Sequence, residues 1–283
     1  MQIQVKFINL FLVELLLVGS AMKIVSLSPA ITETLVLLGA EDEIVGVTPF
    51  CFMWLRDKKE IIGSYLHVRF DRLEKLKPDI VFLQSHVHDK FYEIVKSRGF
   101  NAYLTPLPSS LYGILQNVLD VGSLIGRYYE ARELVSRIVL EKLSRLRDIL
   151  SKPLSSRVRV YVEYLWPDWS YSTAGALTFI DDGLWWSGGL NIFYDRPAKF
   201  FTPKREEVGL RDPEVVLVNI EPQMEVSMRE YLNRRWTGEL EAARSDRVFL
   251  VRESKNINLA HMGPSFIDTV MWISMLLKRV SKQ

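Results

Sequence analysis

Short hydrophobic runs alternate with amphipathic stretches along the chain from Met22 onward. The runs at residues 23–27, 44–48, 79–83 and 102–104 are bounded by Gly, Pro or polar clusters and predict buried strands. After the first run, Ser28 can cap a helix, Pro29 suits the first helical position, and Gly39 ends the helix. Further helices are predicted over residues 71–76 and 91–97. This order of elements is typical of a parallel α/β sheet.

The middle of the chain follows a different pattern. Helical periodicity is nearly unbroken from Leu111 to Leu150, with apolar residues at positions 134, 138, 143, 146 and 149. This pattern predicts a helix of roughly twenty or more residues that begins near Arg127 and spans about 30 Å. Pro153 ends it, and the α/β alternation resumes with strands predicted over residues 158–165, 215–220 and 248–251. A terminal amphipathic helix is predicted over residues 265–279.

The two halves of the chain repeat one local pattern. In each half an acidic residue begins a short helix, which is followed by Pro, another acid and a hydrophobic strand. The first copy runs from Asp71 through Pro78, and the second from Glu206 through Pro213. The repeat predicts two similar α/β lobes, at residues 22–123 and 153–283, with residues 124–152 as a linking helix.

The first 21 residues differ from the rest of the chain. Lys6 precedes an apolar run over residues 8–18 that ends in Gly-Ser-Ala, which is typical of a signal peptide, although Glu14 interrupts the run. The alternative is an over-extended start, with translation beginning at Met22. A signal peptide would direct the protein outside the cytoplasm, to the periplasm or cell surface. A start at Met22 would leave it cytoplasmic.

Composition and charge narrow the class of partner. Of the 283 residues, 48% are hydrophobic and 25% charged, as in ordinary globular proteins. The net charge of +2 gives no electrostatic basis for binding nucleic acid. Cys51 is the only cysteine, so an intramolecular disulfide is excluded, and we expect a packed or pocket-lining residue there.

Four segments, in order, resemble one protein family. They are KIVSLSPAITETLVLLGAEDEIVGVT at residues 23–48, the segment through KPDIVFL at residues 71–83, SGGLNIF at residues 187–193, and residues 205–218. The chain thus resembles the class III periplasmic substrate-binding proteins of ABC importers. Within that class it resembles the binders of cobalamin and iron chelates, and the GGLNIF segment and the Trp-rich C-terminal half are most similar to the cobalamin binders.

The resemblance implies a fold, a ligand and a partner. The fold would be two Rossmann-like lobes joined by a long rigid helix, as in chelatase-like proteins, with a corrinoid, haem or iron chelate held in the cleft between them. No cofactor is implied, and a monomer is expected. One acid on each lobe, here Asp71 and Glu206, would dock onto arginines of the importer's permease. Asp71 is shorter than the Glu usual in the family.

Ligand-binding residues are expected in loops at the strand ends, because a broad, partly apolar ligand needs aromatic faces. Similarity to cobalamin binders places Phe50 and Tyr65 among them. The neighbouring loops supply the remaining candidates, which are Gln84, His86, Trp166, Trp169 and His261. A loop aromatic can instead plug a packing gap beneath its loop. The clustering of Trp166 and Trp169 outside any helix or strand favours a binding role.

Two alternatives remain open at this stage. His67, His86, His88 and Asp89 have the residue types of a zinc or manganese site, as in a direct metal-binding transport protein. Within the chelate-binding interpretation, a single His, either His86 or His261, could be the axial ligand of a haem iron or cobalt.

The second alternative is a chelatase-like tetrapyrrole enzyme with His86 or Glu163 as proton acceptor. The sequence has no nucleophile elbow, Walker loop, dinucleotide-binding glycine motif or zincin motif. We therefore predict a binding protein and not an enzyme.

Overall fold

The structure, a computed structural model, describes residues 21–64, 67–236 and 240–281. The predicted signal segment, apart from Ala21, and the candidate Tyr65 lie outside these ranges. Within them, no helix is both long and apolar enough to cross a membrane.

The first lobe is built on a parallel sheet, in the order β3-β2-β1-β6-β7. Its sheet and hairpin strands are β1 (Ile24–Ser26), β2 (Ile44–Val47), β3 (Glu60–Ile61), β4 (Gly63–Ser64), β5 (His67–Val68), β6 (Ile80–Gln84) and β7 (Ala102–Thr105). The helices are α1 (Pro29–Leu37), α2 (Phe70–Leu76) and α3 (Asp89–Ser97). Side chains on both faces of β1 and β6 are buried in two hydrophobic clusters, which is why these strands are uninterrupted apolar runs.

The connecting segment contains two helices of similar length, α4 (Leu111–Leu124) and α5 (Tyr128–Glu141), then a 3₁₀ turn and the short α6 (Arg147–Leu150). The helix predicted to begin near Arg127 starts at Tyr128, and helical structure continues to Leu150 with one break after Glu141, so that α5 itself has 14 residues, a length of about 21 Å. The step of five from Ile138 to Leu143 rotates about 140° away from the apolar face of a straight helix. The irregular backbone at Lys142 (φ −114°, ψ −62°) interrupts the helix before Leu143. The 3₁₀ turn that follows has three residues per turn, so Leu143 and Leu146 share one face and are both buried.

Helices α4 and α5 run antiparallel, and both bridge the lobes. The Leu111 N–H, at the start of α4, donates to the Asp182 carboxylate of the second lobe at 2.7 Å. Before α5, the Arg127 guanidinium donates to the Leu38 carbonyl of the first lobe at 2.9 Å. A single hydrophobic cluster continues from one lobe through both helices into the other. The lobes are therefore joined by a helical hairpin.

The second lobe has the sheet order β11-β9-β8-β12-β13, with β10 beside β8. Strands β8, β10, β12 and β13 are parallel, and β9 is antiparallel to β8 and to β11. The strands are β8 (Val158–Leu165), β9 (Tyr171–Ala174), β10 (Gly189–Asn191), β11 (Phe200–Phe201), β12 (Val215–Ile220) and β13 (Val248–Arg252). The helices are α7 (Phe179–Ser187), α8 (Arg205–Arg211), α9 (Met228–Arg235), α10 (Glu241–Arg244) and α11 (Phe266–Val280).

The repeated sequence pattern forms the same structure in both lobes. Helix α2 ends in the left-handed conformation at Lys77 (φ 48°), and α8 ends likewise at Asp212 (φ 44°). In each case Pro and an acid follow. The Asp79 carboxylate accepts a hydrogen bond from the backbone N–H of Lys23 at 2.7 Å, and the Glu214 carboxylate accepts one from Arg159 at 2.9 Å. Each acid thereby ties its helix–strand unit to the start of the lobe's first strand.

Candidate functional site

The carboxyl ends of the parallel strands in the two lobes come together. In open α/β sheets this edge is where ligands bind. From the first lobe His86, two residues beyond β6, reaches the second lobe, where its ring centre lies 5.8 Å from that of Phe200. Phe200 in turn packs edge-to-face on Tyr164 of β8 at 5.8 Å. The predicted loops therefore face one another across the boundary between the lobes.

On the first lobe, Phe50 and His86 are exposed and Gln84 is not. Phe50 lies in the 3₁₀ helix that follows β2, with 43% of its surface exposed. His86 has a left-handed backbone (φ 72°), held by a hydrogen bond from its N–H to the Asp89 carboxylate at 2.7 Å. Gln84 is 1% exposed and donates from Nε2 to the Thr105 carbonyl at 3.1 Å. Its amide therefore joins β6 to β7, and a ligand contact at Gln84 stays a prediction.

On the second lobe, Trp166 and Trp169 lie in one turn after β8 but differ in exposure. Trp166 is 43% exposed, whereas Trp169 is half-buried against the lobe's own core. The Arg234 guanidinium lies 4.2 Å from the Trp169 ring centre. Hydrogen bonds from Ser170 hold the turn and lower the pKa of the Asp168 carboxyl. Trp166 is thus the more available of the two rings.

His261 is buried, and its ring joins the lobes. Its Nε2 lies 2.6 Å from a carboxylate oxygen of Glu33 on α1, and its ring stacks on Trp54 at 5.1 Å. The other Glu33 oxygen accepts a hydrogen bond from the Ser265 N–H at 3.0 Å. A side chain at Gly263 would collide with both members of the pair, so the close approach requires glycine. We call Glu33, His261 and Trp54 the interlobe latch.

A cavity of about 420 Å³ adjoins the latch, between α1, α5 and the start of α11. Glu33 and Trp54 form part of its wall, and Lys255 and Arg137 contribute cationic groups. The Lys255 ammonium lies 5.4 Å from the Trp54 ring centre. Any ligand in this cavity would contact both lobes and α5.

Besides the interlobe latch, a second cluster of polar side chains lies at the ends of β12 and β13. The Asn219 amide donates to the Glu253 carboxylate at 2.7 Å. Burial raises the pKa of Glu253, with a smaller contribution from the negative charge of Glu221. The Tyr164 hydroxyl donates to the Leu259 carbonyl at 3.0 Å, and burial raises its pKa. These buried groups hold the segment that carries His261 against the second lobe.

The histidines proposed for zinc are not brought together. His88 is fully buried: its Nδ1 accepts a hydrogen bond from the Gln84 N–H at 3.1 Å, and burial lowers its pKa. His86, by contrast, is exposed. In the part of the chain that the structure describes, no three His, Cys, Asp or Glu side chains are placed to hold a metal ion.

Glu163 is not available as a proton acceptor. Its side chain is fully buried, and Arg235 pairs with it at 2.7 Å. Tyr161 and Tyr231 donate to its two oxygens at 3.0 Å each. All of its close partners belong to the second lobe's core, so the carboxylate is structural.

Asp71 and Glu206 occupy equivalent positions in the first turns of α2 and α8. Both side chains are exposed. Within residues 21–64, 67–236 and 240–281, neither makes a hydrogen bond or ion pair. The two carboxylates are therefore open to an external partner.

The sequence interpretation missed Glu33, Phe200 and Glu253. An acid on the buried face of an apolar helix was a signal at Glu33, because such a carboxylate needs a partner. Nothing local identified His261 as that partner, because it lies 228 residues further along the chain. Phe200 belongs to a two-residue strand too short for a pattern to reveal.

Comparison with known proteins gives consistent matches over most of the chain. The sequence model of the family described as periplasmic binding protein matches residues 24–254. A cobalamin-binding protein of Halobacterium salinarum is 25% identical over 203 residues, covering 70% of this chain. The match covers 54% of that relative, so the chain spans about half its length. A vitamin B12-binding protein of Vibrio cholerae is 23% identical over 272 residues, covering 93% of this chain and 91% of the relative.

Solved structures agree on the fold. The periplasmic haem-binding protein RhuT of Roseiflexus sp. RS-1, in its apo form, superposes with a TM-score of 0.76 and 20% identity, covering 93% of this chain and all of that one. The periplasmic vitamin B12-binding protein BtuF of Vibrio cholerae gives a TM-score of 0.71 with 21% identity, covering 93% and 99%. The two-lobed class III architecture is thereby confirmed.

Proposed function

Since the chain belongs to the periplasmic binding protein family, we propose that it captures a corrinoid or an iron–tetrapyrrole chelate between its lobes and delivers it to an ABC importer. The observation that carries the proposal is the pair of facing strand edges with exposed aromatic rings. Phe50 lies on one edge and Trp166 on the other, with His86 and Phe200 in contact across the boundary. The named ligands of the relatives, cobalamin and haem, belong to the same chemical class.

The chemistry of these side chains suits a flat macrocycle that contains a metal. Aromatic rings stack on broad π-systems and bury much apolar surface at little cost in side-chain entropy. An imidazole is a common axial ligand of a macrocycle-bound metal. His86 is exposed between the aromatic groups, so we assign it as the residue facing the metal. In this proposal the protein releases the ligand without any chemical change to the ligand.

The proposal is tested by titrating the protein with cobalamin, haem, a ferric siderophore and zinc while following tryptophan fluorescence. We expect saturable quenching by one of the chelates, with a Kd at or below about 1 µM. Removing the Trp166 ring by Trp166→Ala should weaken that affinity about tenfold, which corresponds to about 1.4 kcal/mol of stacking. Tyr129→Ala is the matched control, because this exposed ring lies on α5. A response to zinc alone would refute capture of a chelate.

The role of His86 has a separate spectroscopic readout. If His86 coordinates the metal, His86→Ala will shift the absorption bands of the bound chelate towards those of the free compound. His67→Ala is the control, since this exposed His lies on the β4–β5 hairpin. Unchanged spectra in both variants would leave the proposed capture standing and would exclude His86 as the axial ligand.

Delivery requires docking on a membrane permease and a location outside the cytoplasm. The exposed, equivalent carboxylates of Asp71 and Glu206 support the docking role. Glu206→Lys should leave the ligand Kd unchanged and lower ligand uptake by cells. N-terminal sequencing of the native protein will show whether residues 1–21 are removed on export. A mature chain that begins at Met1 would count against a signal peptide at residues 1–21.

A further inference from the structure

His86 has an unusual backbone conformation for its place in the fold. Among the described residues, five that are not glycine have positive φ, namely Lys77, His86, Trp169, Asp212 and Asp246. Three of these follow the end of a helix, where the left-handed conformation is common. The Trp169 ring packs against the core of its own lobe, whereas the His86 ring is exposed and reaches the other lobe. Neither of these explanations therefore fits His86.

The left-handed backbone of His86 is strained in a way that glycine would avoid. At φ 72° the Cβ of an L-residue lies too close to the following carbonyl oxygen, and glycine has no Cβ. Strain of this kind persists where surrounding contacts hold it, and it is concentrated at ligand-binding positions. Here it places an imidazole at the lobe boundary, 5.8 Å from the ring centre of Phe200. A side chain is thus present at this position despite a loss of local stability.

The loop on either side of His86 is fixed independently of that residue. Before it, the Ser85 hydroxyl accepts a hydrogen bond from the Leu107 N–H at 2.7 Å. After it, the buried ring of His88 accepts one at Nδ1 from the Gln84 N–H at 3.1 Å. The His88 N–H donates back to the Gln84 carbonyl at 2.8 Å. These bonds hold the ends of the loop and leave the conformation of His86 to be set by another group.

Asp89, the first residue of α3, is that group. Its carboxylate accepts a hydrogen bond from the His86 N–H at 2.7 Å. Both residues are exposed, so water could satisfy this N–H equally well. The hydrogen bond is therefore not needed to satisfy a buried group, and its effect is on the backbone conformation of His86.

We propose that Asp89 is a positioning residue, which holds the backbone of His86 left-handed so that the imidazole stays directed at the metal of a bound chelate. The inference rests on the proposed capture and on the assignment of His86 to face the metal. It adds the group that pre-organises this ligand. An imidazole that is already held loses little conformational freedom on binding, so less of its contact energy is offset by ordering the loop. Without Asp89, His86 relaxes to negative φ and its ring leaves the boundary.

The test is the absorption spectrum and Kd of the full chain titrated with two probes, ferric haem and aquocobalamin. We expect Asp89→Ala to shift the bands of the bound chelate towards those of the free compound, as His86→Ala does. Its affinity should be about threefold to tenfold weaker, because ordering one side chain on binding opposes affinity by a factor of this size. Asp89→Asn keeps an oxygen acceptor and should retain the wild-type bands. Glu93→Ala is the matched control, since it removes an exposed carboxylate from the same helix.

Two further measurements separate positioning from a general effect on the fold. In the His86→Ala background, Asp89→Ala should change neither the bands nor the Kd, because Asp89 acts only through His86. The Tm of His86→Gly should be about 2–4 °C above that of His86→Ala, because glycine adopts this φ without strain. Equal Tm values would show that the backbone is not strained, and the positioning argument would be overturned.

The outcomes distinguish this inference from the proposed function. If His86→Ala shifts the bands and Asp89→Ala does not, positioning by Asp89 is refuted, while capture with His86 as axial ligand stands. If Asp89→Ala weakens affinity equally with and without His86, the carboxylate acts on the fold or on the ligand directly, and the inference is wrong. If His86→Ala itself has no effect, the inference fails together with the axial assignment, and capture stands. If neither probe saturates the wild type, capture and this inference both fail.

Discussion

Replacing Glu33 with alanine should destabilise the protein far more than removing an exposed acid. The Glu33 carboxylate is buried and contacts His261 Nε2 at 2.6 Å and the Ser265 N–H at 3.0 Å. Glu33→Ala would leave the buried His261 ring and the partly buried Ser265 N–H without this acceptor. Each unsatisfied buried group costs about 1–3 kcal/mol. We therefore expect the free energy of unfolding to fall by about 3–4 kcal/mol.

Two further variants separate the effect of the latch from that of simply losing a carboxylate. Glu33→Gln keeps an acceptor oxygen for Ser265 and a polar group for His261, so its cost should not exceed about 1.5 kcal/mol. Glu74→Ala removes an exposed ion pair with Arg98, which is worth roughly 0–1 kcal/mol. The expected order of destabilisation is Glu33→Ala, then Glu33→Gln, then Glu74→Ala.

The measurement is urea unfolding at pH 7, followed by far-ultraviolet circular dichroism and tryptophan fluorescence. Thermal unfolding gives a second value, since 3 kcal/mol corresponds to a fall in Tm of about 6–12 °C for a chain of this size. A cost for Glu33→Ala below about 1 kcal/mol, equal to that of Glu74→Ala, would refute the reasoning. The pair would then not hold the lobes together in solution.

A partly buried carboxylate, Glu253, and a buried guanidinium, Arg157, give predictions of their own. Because burial raises the pKa of Glu253, ionisation opposes folding, and wild-type stability should fall as pH rises from the unfolded pKa of about 4.3 through the raised folded value. The free energy of unfolding of Glu253→Gln should therefore equal that of the wild type at pH 4. At pH 7 it should be higher, by about 1.4 kcal/mol for each unit by which the folded pKa is raised. Equal free energies of unfolding at pH 7 would contradict this prediction. Arg157 donates hydrogen bonds to the carbonyls of Trp185 at 2.6 Å and Ile149 at 3.1 Å. Because Arg157→Lys loses the planar guanidinium that makes both bonds, it should lower the free energy of unfolding, measured in urea, by about 2–4 kcal/mol. A loss below 1 kcal/mol would show that an ammonium suffices there.

The strands and the internal repeat could be predicted from the sequence because their causes are local. Parallel strands buried on both faces are continuous apolar runs, and β6 and β12 have this pattern. Helices α2 and α8 each end at a residue whose backbone is left-handed and which precedes Pro. The proline can be read from the sequence in each half. Local signals of this kind do not depend on the tertiary structure.

The latch and the helical hairpin could not be predicted in the same way. Glu33 and His261 meet only because the segment before α11 crosses back to the first lobe. The end of α5 coincides with an ion pair between Lys142 and Asp268 of α11 at 2.6 Å. Gln84 has the sequence position of a loop residue, yet β6 extends through it. Each outcome depends on contacts between segments distant in sequence.

The hairpin and the latch together limit how the cleft can work. Helices α4 and α5 are fixed to both lobes, by Arg127 at one end and by Leu111 and Lys142 at the other. A hinge rotation would have to bend two packed helices at once and break the buried contacts of Glu33. Such a frame resists large closure, in contrast to lobes joined by a few extended residues. Selectivity must then come mainly from side chains that line the gap, which is why Phe50, Trp166 and His86 matter more to the proposed capture than the spacing of the lobes.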